Sequence, residues 1–174
     1  ILTENVLGFI QTDGSSALYK RWEKKVSLSG LAWADRRSLA VLEYTEKEDD
    51  AVRVHFLERD GSIKRSITLP IGKHDSDKDE DTGELAIAPN GKHLAVAFQH
   101  DVFFCDSDGK LIGHWADAND TMAQPTFSPD SSRVACKYLT KDPERGYSRV
   151  AAIVFFSPEG KQLSSVPIPP IDPA

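Results

Sequence analysis

The chain has 174 residues, 40% hydrophobic and 28% charged, an ordinary composition for a folded globular chain. Its formal net charge is −6, from 27 acidic against 21 basic residues, which argues against a general nucleic-acid-binding role, since phosphate recognition needs a basic face. No apolar run approaches the roughly 18 residues that a membrane-spanning helix requires, and no signal-peptide pattern follows Ile1, so the chain is expected to begin internally, as a processed or cut form.

Taken in chain order, the sequence falls into short apolar runs divided by turns. Val6 to Ile10 and Ala17 to Trp22 flank Asp13-Gly14-Ser15-Ser16 and make a half unit, residues 5–26. The next unit, 27–70, has four runs. Leu31 to Ala34 and Ser38 to Tyr44 flank Asp35-Arg36-Arg37, and Ala51 to Glu58 and Ser62 to Leu69 flank Asp60-Gly61. An acidic loop, 71–81, follows. In unit 82–116, Leu85 to Ala88 and His93 to Phe98 flank Pro89-Asn90-Gly91-Lys92, and Asp101 to Cys105 and Leu111 to Trp115 flank Ser107-Asp108-Gly109-Lys110. In unit 122–168, Pro125 to Ser128 and Arg133 to Leu139 flank Pro129-Asp130-Ser131-Ser132, and Arg149 to Phe156 and Gln162 to Ile168 flank Pro158-Glu159-Gly160. Short runs with Gly-containing turns predict antiparallel meanders. Fourteen strands are expected, and their dense apolar content predicts burial on both sheet faces.

One pattern recurs in every unit: an aromatic residue, then four positions later an acidic residue and a glycine. The copies are Phe9 with Asp13-Gly14, Phe56 with Asp60-Gly61, Phe104 with Asp108-Gly109, and Phe155 with Glu159-Gly160. Their acidic residues are 47, 48 and 51 positions apart. A period of this length marks a repeated supersecondary unit. The four aromatic residues are predicted to be buried between neighbouring sheets.

Phe127-Ser128-Pro129-Asp130 with Arg133-Val134-Ala135, and Ala88-Pro89-Asn90-Gly91-Lys92-His93-Leu94-Ala95, resemble the F-S-P-D-G-K-x-[IL]-A signature of TolB-like and WD40-like (PD40-type) β-propeller repeats. Asp108-Gly109-Lys110 and Glu159-Gly160-Lys161 resemble that family's turn between the third and fourth strands of a blade. Ser131-Ser132 stands where the signature has Gly-Lys. The resemblance implies an all-β fold with propeller-type blades of four antiparallel strands, about three and a half blades in an incomplete ring. The half unit would lack its two inner strands, and the proline-rich tail from Val166 to Ala174 is unsuited to supply them. A fragment completed by the rest of a longer chain, a self-associating half-propeller and an open arc all remain open.

Motifs for chemistry are sparse. The chain has no G-x-S-x-G, H-E-x-x-H, G-x-G-x-x-G, Walker A or C-x-x-C motif, and no catalytic residue or cofactor is expected. His55 and His93 fall on predicted strands and are expected to be satisfied sheet histidines. Cys105 and Cys136 are expected to be buried free thiols on strands, with a single bridge as the alternative. The acidic run Asp75, Asp77, Asp79, Glu80 and Asp81 fails the EF-hand spacing, since Glu80 and Ala86 stand where Gly and Glu are required. Asp75, Asp77, Asp79 and Asp81 are therefore only weak cation candidates, beside a solvated charged loop.

In a propeller the long connections emerge on one face and the tight turns on the other. The long connections are 46–50, 71–82, 99–101, 116–121 and 140–147, and they carry net −9 against −6 for the whole chain. The tight-turn side bears Arg36, Arg37, Arg59, Lys92, Lys110, Arg133 and Lys161. The expected function is a non-catalytic protein-interaction scaffold. Its expected partner, a protein offering a basic segment, would meet Glu46, Glu48, Asp49, Asp50, Asp75, Asp77, Asp79, Asp117 and Asp120. The alternatives are a propeller fragment resembling those of prolyl-oligopeptidase-type hydrolases, with the catalytic domain elsewhere, and a cation- or small-ligand-binding propeller. Neither nucleic acid nor membrane insertion is expected, and the compartment stays open between bacterial periplasm and cytoplasm.

Overall fold

The computed structural model describes residues 2–3, 6–10, 16–21, 27–33, 39–44, 52–58, 60–69, 83–98, 100–117, 121–141 and 148–169. The regular elements among them are all strands, in four antiparallel meanders. The first sheet is β1 (Leu2–Thr3), β2 (Val6–Ile10) and β3 (Ser16–Arg21). The second is β4 (Ser27–Trp33), β5 (Leu39–Tyr44), β6 (Val52–Leu57) and β7 (Ile63–Thr68). The third is β8 (Gly83–Ile87), β9 (His93–Phe98), β10 (Asp101–Asp106) and β11 (Leu111–Ala116). The fourth is β12 (Thr121–Phe127), β13 (Val134–Lys141), β14 (Ser148–Phe156) and β15 (Gln162–Pro167). In each sheet the strands lie side by side in chain order. The chain divides into two compact units, Ile1–Thr82 and Gly83–Ala174.

The fourteen expected runs all correspond to strands. The first sheet gains a further one, β1, whose two residues leave no periodic signal. β4 and β12 begin about four residues before the apolar runs that announce them. Both are interrupted by a left-handed residue, Gly30 (φ 53°) in β4 and Gln124 (φ 51°) in β12, where the pairing register shifts. A bulge of this kind breaks the alternation that sequence reading relies on.

The aromatic–turn repeat is also a structural repeat. Phe56 pairs with Arg65, Phe104 with Gly113 and Phe155 with Ser164, and the register shifts immediately after each aromatic. The turns close identically: the N–H of Gly61, Gly109 or Gly160 donates to the carbonyl three residues earlier, at Glu58, Asp106 or Ser157. These glycines sit at φ 81°, 85° and 84°. That left-handed geometry is strained for a residue with a Cβ and gives the turn its glycine.

The β8–β9 and β12–β13 turns form a matched pair in which Gly91 (φ 70°) and Ser131 (φ 62°) hold the same left-handed position. Ser131 tolerates it because its buried hydroxyl accepts a hydrogen bond from the Asn90 N–H of the other turn, at 3.1 Å. Asp130 accepts from the Ser128 hydroxyl at 2.6 Å and from the N–H and hydroxyl of Ser132 at 3.0 and 2.8 Å. These bonds hold its carboxyl down at about 2.

In the second unit, the third and fourth sheets pack face to face. Ala95, Ala97, Val102 and Phe104 meet Met122, Val134, Cys136, Ala152, Val154 and Phe156. The Phe104 and Phe156 rings are 5.3 Å apart, and Trp115 meets Phe156 and Tyr138 edge-on at 6.3 and 6.2 Å. In the first unit both faces of β5 are buried, and Phe56 lies under the Arg65 guanidinium at 4.0 Å. Phe56 and Phe104 are thus buried as expected, while the side chain of Phe9 lies outside the described residues.

Phe155 corrects the expectation, being only half-buried, while its neighbour Phe156 is fully enclosed. Alternation along β14 turns Phe156 toward the third sheet and Phe155 away from it. Cys105 and Cys136 are buried free thiols. Burial, helped by the nearby Asp106 and Glu84 charges respectively, pushes each up to about 12, which leaves them inert as nucleophiles.

Candidate interaction face

Meander topology sorts the connections of each sheet between its two ends. In the second unit the tight turns Ala88 to Lys92, Ser107 to Lys110, Ser128 to Arg133 and Ser157 to Lys161 lie at one end of their sheets. His100, Asp101, Asp117, Thr121, Lys141 and Ser148 lie at the opposite end, where the long connections begin and finish. Lys92, Lys110, Arg133 and Lys161 are all exposed at the tight-turn end.

At the long-connection end the polar groups are already organised. Asp101 accepts from His114 Nε2 at 2.9 Å, and the His114 ring stacks on Phe103 at 4.8 Å, which fixes the imidazole from two sides. His100 Nδ1 and Thr121 Oγ1 lie 3.3 Å apart, joining the third sheet to the fourth. The Tyr138 hydroxyl donates to Asp117 at 3.4 Å, a second link between those sheets. The Glu84 carboxylate accepts from the backbone N–H of Gln124, at the left-handed position in β12.

Of the acidic residues expected to meet a partner or a cation, Asp117 alone falls among the described residues. It is half-buried and partly engaged in holding two sheets together. Glu46, Glu48, Asp49, Asp50, Asp75, Asp77, Asp79, Asp81 and Asp120 lie outside the described residues, as do Arg36, Arg37 and Arg59. Among the described residues, no three His, Cys, Asp or Glu side chains are grouped to hold a metal ion. Among the described residues, no helix is long and apolar enough to cross a membrane.

His55, expected to be a satisfied sheet histidine, is one, and its partners on the second sheet form a polar cluster that no motif announces. His55 Nε2 lies 2.9 Å from Glu43 Oε2, and His55 Nδ1 lies 2.6 Å from Ser66 Oγ. Because a carboxylate can only accept, Nε2 carries the hydrogen of the bond to Glu43. Arg53 approaches the other Glu43 oxygen at 3.6 Å. The cluster ties β5, β6 and β7 together and satisfies a buried carboxylate. Its signal in the sequence is the alternation of Arg53 and His55 with Val52, Val54 and Phe56, which marks one partly polar face.

No family model and no curated protein sequence matches the chain. Solved structures do match in fold. The Neurospora crassa Pan2 WD40 domain is 10% identical, with a TM-score of 0.63 over 95% of this chain and 48% of that one. The Dos1 propeller is 9% identical, with a TM-score of 0.60 over 92% of this chain and 42% of that one. Sqt1 from Chaetomium thermophilum is 16% identical, with a TM-score of 0.57 over 93% of this chain and 42% of that one. The chain therefore spans less than half the length of these structures, and the likeness gives the fold: all-β, with propeller-type blades.

Proposed function

We propose that the chain is a non-catalytic interaction module of the TolB-like or WD40-like (PD40-type) propeller class, and that it takes a basic protein segment on its acidic long-connection face. The observation that carries this reading is the charge asymmetry. The long connections hold net −9 in a chain of −6, while Lys92, Lys110, Arg133 and Lys161 stand exposed at the far end of the sheets. A field of this kind steers a cationic partner to one end and turns it away from the other. Rigid strands beneath variable loops suit such a role, because loops can change while the scaffold holds.

The test is titration with a short Lys/Arg-rich peptide at two salt concentrations. Replacing Asp75, Asp77, Asp79 and Asp81 together by Asn is expected to weaken binding about tenfold at low salt, and less at high salt. Lys110→Glu with Lys161→Glu, at the opposite end, is expected to leave the affinity unchanged. Equal binding by the neutralised and native chains would refute the assignment of this face.

A further inference from the structure

The polar cluster of the second sheet holds a hydroxyl, an imidazole and a carboxylate in sequence. Ser66 Oγ lies 2.6 Å from His55 Nδ1, and His55 Nε2 lies 2.9 Å from Glu43 Oε2. Glu43 and His55 are buried, at 7% and 6% exposure, whereas Ser66 stands exposed on β7, the strand at the margin of its sheet. A nucleophile within hydrogen-bond reach of a base, with the base oriented by a third group, is the arrangement that activates a hydroxyl. When the imidazole is neutral with its hydrogen on Nε2, toward Glu43, Nδ1 presents its lone pair to the serine hydroxyl. The Glu43 carboxylate then favours the imidazolium that forms as the hydroxyl gives up its proton. Of the cations nearby, Arg53 approaches the other Glu43 oxygen at 3.6 Å, and Lys64 pairs with Glu58 at 3.1 Å.

A sheet of this kind does not require the constellation. By cross-strand register, His55 and Ser66 correspond to Phe103 and His114 in the third sheet and to Val154 and Ser165 in the fourth. Glu43 corresponds to Phe98 and Tyr138, counted from the alanine that pairs with each repeat aromatic. Aromatic or aliphatic side chains therefore serve the packing at both buried positions, and a carboxylate and an imidazole are costlier to hold there. Ser165 supplies an internal reference. It is an exposed serine at the same place in its sheet, opposite Val154 rather than a base.

We propose that Ser66 is a nucleophilic serine that takes the phosphonyl or acyl group of an activated phosphonate or ester, with His55 as its base and Glu43 as the positioning residue. With a fluorophosphonate, the Ser66 Oγ–P bond forms as the P–F bond breaks. Fluoride leaves with the bonding pair, and the hydroxyl proton passes to His55 Nδ1. The product is a covalent ester on the chain. No turnover is involved, so the reactivity stands beside partner binding.

Labelling of the full chain with a fluorophosphonate probe, followed by peptide mass spectrometry, tests it. Ser66 is expected to react about a hundredfold faster than Ser165, the scale of general-base assistance. The Ser66 rate is expected to fall as the pH is lowered, because protonated His55 cannot accept the proton, along a single titration that His55→Gln removes. Glu43→Gln is expected to slow labelling about tenfold. Equal rates at Ser66 and Ser165, or a Ser66 rate indifferent to pH, overturn the proposal. Both comparisons are made in the native chain, so they decide it even where a buried substitution disturbs folding. A Glu43→Gln chain with native circular dichroism and the native labelling rate overturns the positioning role.

Discussion

Phe104→Ala is expected to lower the free energy of unfolding by about 3–5 kcal/mol, the range for deleting a fully enclosed aromatic. Phe104 is 0% exposed. Its ring lies 5.3 Å from Phe156 and beneath Gly160, whose added Cβ would fall within 3.1 Å of three Phe104 ring atoms. The backbones on both sides belong to hydrogen-bonded sheets that are poorly able to collapse into the void. Equilibrium denaturation with urea gives the number. A loss under about 0.5 kcal/mol, typical of surface sites, would mean that the third and fourth sheets do not stack through this residue.

Gly113→Ala is expected to be nearly as damaging, at about 3 kcal/mol, for a different reason. A Cβ there would lie 2.0 Å from the Glu159 carbonyl oxygen, 2.8 Å from its carbon and 3.1 Å from Gly160 Cα. All three atoms are backbone, fixed in the turn that caps Phe104, so no side chain can swing aside. Gly91→Ala provides the control. Gly91 has φ +70° and nothing within 4 Å of its would-be Cβ, so only the left-handed backbone opposes the change, at roughly 1 kcal/mol. Thermal melts of the two variants should therefore separate clearly. Equal melting temperatures would show that the β14–β15 turn does not press on β11.

The two glycines illustrate what local sequence can and cannot specify. Gly91 and the glycines of Asp60-Gly61, Asp108-Gly109 and Glu159-Gly160 are legible, because turn geometry is decided by residues within the turn. The same holds for the strands flanking them, whose apolar runs need no knowledge of distant partners. Gly113 carries no such signal, since its reason lies in a turn more than forty residues away in the chain. Phe155 fails for a related cause: its motif is that of Phe104, but the fourth sheet packs on Phe104, whereas Phe155 points away from that junction. The Glu43–His55–Ser66 cluster depends on cross-strand register, which periodicity alone does not fix. At the long-connection end the sequence supplied a charge imbalance and a list of acids. The described residues place Asp117 there, tied to Tyr138, beside the His114–Asp101 pair that no motif announces.

Phe104 of the third sheet is capped by the Gly160 turn of the fourth. A double-mutant cycle on Phe104 and Gly160 addresses it most directly. Gly160→Ala in the native background meets both a left-handed backbone, φ +84°, and the Phe104 ring at 2.6 Å. With Phe104→Ala in place the ring is gone and only the backbone penalty remains. Urea unfolding of the native chain, the two single variants and the double variant is predicted to give a coupling of about 1 kcal/mol or more, the double variant losing less than the sum of the singles. Additivity within about 0.5 kcal/mol would contradict the capping contact, and with it the packing of the fourth sheet on the third at Phe104.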